Sequence, residues 1–196
     1  MARAPRQGRL EPDDMGSTFV QRLIGAAMLD RATYEEVEAD RTATPQALAV
    51  VVFSSVAAAI GAQGTNGGAA TLAFFASASV MALLAWATWA LVTFEVGARL
   101  LPTPDTRVDP GELLRTLGFA ATPGLIQVFG VFPGAKVPAF VIAIVWAFAA
   151  SVVAVRQALD YTSSARALAV SGLGVGLAIA VAFVLGLLFG PTLSGF

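Results

Sequence analysis

Five stretches of 17 to 26 residues carry no charged side chain, at positions 47–63, 69–94, 116–132, 139–155 and 167–189. A helix that crosses a bilayer needs about 20 mostly apolar residues. In hydrocarbon every backbone amide and carbonyl must be satisfied within its own segment, and a helix does this. The alternating apolar and polar pattern of a membrane barrel is missing from these runs. The rest of the composition agrees. The chain is 57% hydrophobic and 13% charged, whereas a soluble domain carries about 25% charged residues. The expected fold class is therefore all-α, a polytopic membrane helical bundle with five transmembrane helices over 47–196. With their flanks the spans cover about 47–63, 69–98, 113–132, 137–157 and 166–189. Residues 1–46 are expected to form a cytoplasmic N-terminal segment with amphipathic and short helices.

Charge placement sets the orientation. With the N-terminus inside, the inner segments hold Arg3, Arg6, Arg9, Arg22, Arg31, Arg41, Arg99, Arg107, Arg115, Arg156 and Arg166, and the outer segments hold Lys136 alone. An excess of Arg and Lys marks the cytoplasmic side. All 13 acidic residues fall on the same side. The C-terminus, Pro191 to Phe196, is uncharged and expected outside. The first long apolar run begins only after Pro45, too late for a cleavable signal peptide, so the N-terminus is expected to be retained.

Local signals mark the ends of the spans. Thr44-Pro45 opens the first, GTNGG at 64–68 is a turn, and Asp109-Pro110-Gly111-Glu112 combines an N-cap, Pro at the first helical position and an acid three residues on. The third span holds Pro123, which lacks an amide proton and should kink or break the helix near Phe119 to Ala121. Pro133-Gly134 suits the centre of a tight turn.

Before the first span, Phe19, Val20, Leu23, Ile24, Ala27 and Met28 recur at helical spacing, with Gln21 and Arg22 on the other side. This reads as an amphipathic helix in the interface or packed on the inner end of the bundle. Thr33-Tyr34-Glu35-Glu36 reads as a capping box opening a second short helix. The run from Phe19 through Leu29-Asp30 and Thr33 to Asp40, the stretch Leu113 to Gly124 (LLRTLGFAATPG), and Val145-Trp146 followed by Val155 to Asp160 (VRQALD) resemble the bacterial branch of the Yip1-domain family. The resemblance runs from about Phe19 onward. It implies five spans and a cytoplasmic N-terminal part, in a bacterial inner membrane. Eukaryotic members are implied to act in vesicle trafficking by binding small GTPases. Their Asp-Leu-Tyr-Gly-Pro motif has no counterpart here, so that role is not carried over.

The chain has no cysteine and no histidine. Thiol nucleophiles, disulfides, the usual general base and the commonest metal ligand are thereby excluded. Ser54, Ser55, Ser163 and Ser164 lack the base a serine nucleophile needs. No catalytic residue, cofactor or metal site is expected, and no nucleic-acid partner. Five groups remain as candidates. Pro123, Gly124 and Gln127 could form a helix break that holds an ion or solute, or be ordinary span residues. Glu95 and Arg99, at i and i+4, are expected to pair at the interface, the alternative being an ion path through Glu95. Gly172, Gly176, Gly186 and Gly190 form small-residue spacings for helix packing, inside the bundle by default. Phe19, Leu23, Tyr34, Glu35 and Glu36 are candidate cytoplasmic contacts. The cluster Glu35, Glu36, Glu38 and Asp40 reads as a solvated helix rather than a cation site. The expected function is a non-enzymatic membrane scaffold or accessory subunit, in one version within a photosynthetic or respiratory assembly. Its expected partners are membrane lipids and other membrane proteins, with a homo-oligomer allowed. The alternative is a small transporter or channel built around Pro123.

Overall fold

The computed structural model describes residues 12–63, 72–102 and 108–189. The chain is helical, with no strand among the described residues: α1 (Pro12–Ala27), α2 (Arg31–Ala39), a 3-10 turn (Arg41–Ala43) leading into α3 (Thr44–Gln63), α4 (Leu72–Phe94) continued by a π turn (Glu95–Leu100), α5 (Pro110–Phe119), a 3-10 run (Thr122–Val131), α6 (Lys136–Ala158) and α7 (Ser164–Phe189). Among the described residues three helices are long and apolar enough to cross a membrane: Arg41–Gln63, Phe74–Leu100 and Lys136–Ala158. Ser164–Leu177 in α7 makes a shorter apolar helix.

The third expected span is not one α-helix. α5 ends at Phe119, and a turn through Ala120 and Ala121 hands over to the 3-10 run. The cause is Pro123. It has no N–H to return to the Phe119 carbonyl, and its ring crowds that oxygen. The Thr122 hydroxyl donates to the Phe119 carbonyl instead, at 2.6 Å. The next exposed carbonyl, that of Ala121, accepts from Ser54 Oγ at 2.8 Å and from the Gly124 amide at 2.8 Å. Runs of 3-10 helix longer than about four residues are uncommon. This one is drawn out against α3, to which it runs parallel. Gly118 lies on Ala47, Gly124 on Ser54 and Gly130 on Gly61. A Cβ on Gly130 would sit 2.9 Å from the Gly61 carbonyl oxygen, and one on Gly61 would collide with the Gln127 carbonyl. The two backbones touch, so neither position has room for a side chain.

Sequence signals set the other ends. Asp109 Oδ1 accepts from the Gly111 and Glu112 amides, and Glu112 Oε2 accepts from the Asp109 amide at 2.9 Å, closing the box that starts α5. Gly134 has φ +79°, and the Ala135 amide returns to the Phe132 carbonyl at 3.1 Å. This is the left-handed position of a tight turn that glycine fills without strain. It sends α6 back antiparallel to α3, with Lys136 Nζ donating to the Ala62 carbonyl. α2 corrects an expectation: its cap is Asp30, not Thr33. Leu29 takes φ 61°, Asp30 is extended, and the Asp30 carboxylate accepts from the Ala32 and Thr33 amides and from the Thr33 hydroxyl. A carboxylate at that position is a better acceptor than a hydroxyl three residues later.

α1 is also rotated from its expected register. Arg22 and Ala26 are buried, with Phe19 and Leu23 half-buried beside them, while Val20 (52%), Ile24 (56%) and Met28 (74%) are exposed. The guanidinium turns inward because carboxylates wait there, and the outer stripe of α1 becomes the apolar one.

Two kinds of glycine separate in this fold, and a stability series distinguishes them. Gly61→Leu and Gly130→Leu should each cost about 1–3 kcal/mol or prevent folding, as overpacking does. Gly172→Leu, with open space around it, should stay within about 0.5 kcal/mol of the parent. Denaturant or thermal unfolding in detergent micelles reads the difference.

Candidate functional site

Two features stand out, a charged cap at one end of the bundle and a hollow along its length. The cap is built around two buried arginines. Arg22 of α1 is 6% exposed. Its Nε and Nη2 donate to Glu36 Oε1 at 2.9 and 2.8 Å, Nη2 to Asp40 Oδ2 at 2.7 Å, and Nη1 to Gln46 Oε1 at 2.9 Å. One side chain thus ties α1 to α2 and to the start of α3. Burial disfavours its charged form most, but the bonds to Asp40 and Glu36 outweigh this and the guanidinium is held more firmly protonated than usual. Arg115 of α5, 5% exposed, donates to the Val37 carbonyl at 3.0 Å and to the Glu38 carbonyl. A cation on the last carbonyls of α2 satisfies them and complements the helix dipole. Gln157 of α6 donates to Glu35 at 2.7 Å.

The four carboxylates of α2 therefore diverge. Glu36 and Asp40 face Arg22, Glu35 faces Gln157, and Glu38 points elsewhere; among the described residues no three such groups converge on a metal position. Asp40 is held below the usual carboxylate range by the Thr42 hydroxyl and then by Arg22. Glu38 is pushed up to about 7, by burial first and then by Glu112, Asp160 and Glu35, against the opposing pull of Arg115. Tyr34 is fully buried and donates to the Ala26 carbonyl at 3.1 Å, so it works inside the cap. Phe19 packs edge-on to Phe119 with centroids 6.4 Å apart, and Leu23 lies against the same core. Of the candidate contact residues, Glu35 and Glu36 remain on the outside.

The same end of the molecule is finished by backbone capture. Glu95 and Arg99 pair at 3.0 Å, both more than half exposed, within the π turn. The wider turn leaves carbonyls over, and the Tyr161 hydroxyl lies 3.0 Å from that of Gly97 and 2.8 Å from that of Leu101. Arg156 holds the α6–α7 loop by the Tyr161 and Thr162 carbonyls.

The hollow has a volume of about 830 Å³ and is walled by α3, α4, α5 with its 3-10 run, α6 and α7. Its lining is almost wholly alanine, aliphatic and aromatic, including Trp86, Trp89 and Phe148. Ser54, Ser55 and Gln127 are its polar members, while Thr122 and Glu95 lie outside it. Ser54 is committed to Ala121, and Ser55 to the Val52 carbonyl and Ser79. The Gln127 side chain makes no hydrogen bond among the described residues. Pro123 and Gly124 are buried behind this wall against α3.

The fifth-span glycines divide. Gly172 and Gly176 face open space in an outer groove beside Leu100 and Leu101. Gly190 lies outside the described residues, as does the packing around Gly186. The close helix contact in α7 is at Gly174, where a Cβ would lie 2.8 Å from Trp89 Nε1. Sequence reading placed Arg22 on the polar face and missed both arginine clamps. The signal that could have found them is a lone cation inside an apolar run, FVQRLIGA and LLRTLGF, since such a charge is seldom buried unpaired. The chain matches no family profile, no curated protein and no solved structure.

The raised Glu38 pKa makes a pH-dependent expectation. Below about pH 4.5 the carboxyl is neutral whether α2 is docked or not, and the stabilisation is whole. It is lost as pH rises through about 7, because the docked state resists ionisation. Glu38→Gln should therefore be more stable than the parent at pH 8, by about 1 kcal/mol once exposure and screening are allowed for. The gap should close by pH 4.5. Unfolding curves of both proteins across that range measure it.

Proposed function

We propose that the chain is a five-span membrane protein, with α5 and its 3-10 run as the third crossing and α7 as the fifth. In this reading the charged cap lies in the cytoplasm, and the protein works as a non-enzymatic scaffold or accessory subunit. Support comes from the three long apolar helices, from the gathering of arginine and acid at one end, and from the resemblance to the bacterial Yip1-domain family. The observation that carries the reading is the state of the break at Pro123. The Phe119 and Ala121 carbonyls beside it are taken by Thr122 and Ser54, which leaves the break fewer bare acceptors with which to hold an ion. The surface available to a partner is the outer edge of α2, where Arg31, Glu35 and Arg41 are exposed.

A transporter remains the second reading, favoured by one observation: Gln127 lines a hollow with its amide free. The rest of that lining is apolar and no charged group enters it, which suits an oily guest better than a hydrated solute.

Affinity purification in a gentle detergent with mass spectrometry is expected to recover a defined membrane partner, and Arg31→Glu with Glu35→Lys should release it. Isolation as a lone chain under several conditions would contradict the scaffold reading. In proteoliposomes, solute flux that Gln127→Leu abolishes would favour the transporter instead.

A further inference from the structure

We propose that the hollow holds one acyl chain of a bilayer glycerolipid, with the lipid's ester carbonyl accepting from the side-chain amide of Gln127. This rests on the chain's being embedded in a membrane.

The argument begins with depth. The Gln127 carbonyl abuts Gly61, one residue from Ala62, whose carbonyl takes the Lys136 ammonium where α3 ends and α6 begins. Gln127, between Gly124 on Ser54 and Gly130 on Gly61, therefore lies in the half of the bundle nearer its bare end. The lining reaches down α3 to Val51 and down α5 to Leu117, beside Gly118 and its contact with Ala47. From Leu117 to Gln127, both in the lining, is ten residues, about 15 Å at 1.5 Å each, close to the hydrocarbon of one leaflet, half of about 30 Å. The hollow is thus about as long as an acyl tail, with a carboxamide toward its outer end, on the side where that tail would meet its glycerol ester.

Access and chemistry agree. Ile144 (61% exposed) and Val145 (64% exposed) stand on the rim, so the hollow opens sideways from α6, toward lipid rather than water. α4 and α6 line it from opposite sides rather than packing on each other. Small side chains such as Ala82, Ala85 and Ala147 keep it wide. A void this large forfeits dispersion contacts along its whole wall. Water would find only the Gln127 amide and the indole N–H groups of Trp86 and Trp89 without partners, chiefly donors set in an apolar wall. A buried water needs two to four polar partners. An unpaired amide in hydrocarbon is itself costly, and a carbonyl relieves it. A tail with a carbonyl at its head answers both needs.

The chain has 3 tryptophans, of which Trp86 and Trp89 line the hollow while Trp146 sits on the exposed face of α6. The full chain carrying Trp146→Phe would be reconstituted into vesicles of phosphatidylethanolamine and phosphatidylglycerol with brominated acyl chains, and its fluorescence compared with that in unbrominated vesicles. Strong quenching is expected, and Ala147→Phe, which fills the hollow, should reduce it sharply. In parallel, native mass spectrometry of the detergent-purified parent should show one retained glycerolipid. Gln127→Leu should weaken that retention about fivefold, the value of one neutral hydrogen bond. Gln127→Leu hardly changes the volume, so it decides the matter if Ala147→Phe does not fold. The proposal is overturned if the parent retains no lipid, if the retained mass is a quinone or isoprenoid, or if neither variant changes quenching or retention. Flotation of the parent with its vesicles tests membrane embedding separately, so a failure of that premise would be distinguishable.

Discussion

The structure depends above all on where the backbone hydrogen bonds go around Pro123. An α-helix in an apolar surround can leave no carbonyl without a donor, and a proline at that position removes one. Thr122 supplies the missing donor to Phe119, Ser54 adds a second bond to the Ala121 carbonyl, and the chain continues as a 3-10 run instead of restarting an α-helix. That narrower helix lets its backbone lie on α3 through Gly61 and Gly130. The third segment packs on both α3 and α6, and the hollow lies beside it, lined by α3, α4, α6 and α7. Break and glycine contact are one arrangement, and the hollow adjoins it.

At the other end, the governing term is charge pairing. Glu36 and Asp40 sit one turn apart on α2 and would repel each other; Arg22 inserted between them converts that repulsion into a three-way clamp. A clamp of this kind is worth less as net stability than as orientation, since desolvating a guanidinium is costly. Its effect is to fix α1 in a register that buries a cation and exposes Val20, Ile24 and Met28. Arg115, with no carboxylate partner among the described residues, docks α2 by its end carbonyls instead. The cap is thus joined to the bundle through α5, the helix that leads into the break, as well as through Gln46 of α3 and Gln157 of α6.

Much of this was legible in the sequence, and the parts that were not share a cause. Three long apolar helices, the Asp109 box, the Pro133-Gly134 turn, the end of α5 before Pro123 and the Glu95–Arg99 pair depend on neighbours within a few residues, and the structure forms each of them. Tertiary pairing is invisible to periodicity. Arg22 looks like a polar-face residue until Glu36 and Gln46 are brought beneath it, and Thr33 looks like a cap until Leu29 adopts a positive φ. The glycines teach the same lesson. Regular spacing drew attention to Gly172 and Gly176, which face open space, while Gly61 and Gly130, 69 positions apart in the numbering, meet only in the fold. The length of the 3-10 run was also hidden, because it is imposed by α3 and not by local preference.

The central claim is that the charged cap and the Lys136 turn lie on opposite sides of one bilayer. A chain without cysteine allows a direct measurement, since any thiol introduced is unique. Ser163→Cys and Lys136→Cys, each made alone and probed in sealed cells with a maleimide that does not cross membranes, give the answer. The account predicts labelling at 136 from outside and at 163 only after the membrane is opened. Equal labelling of both from the same side would contradict it.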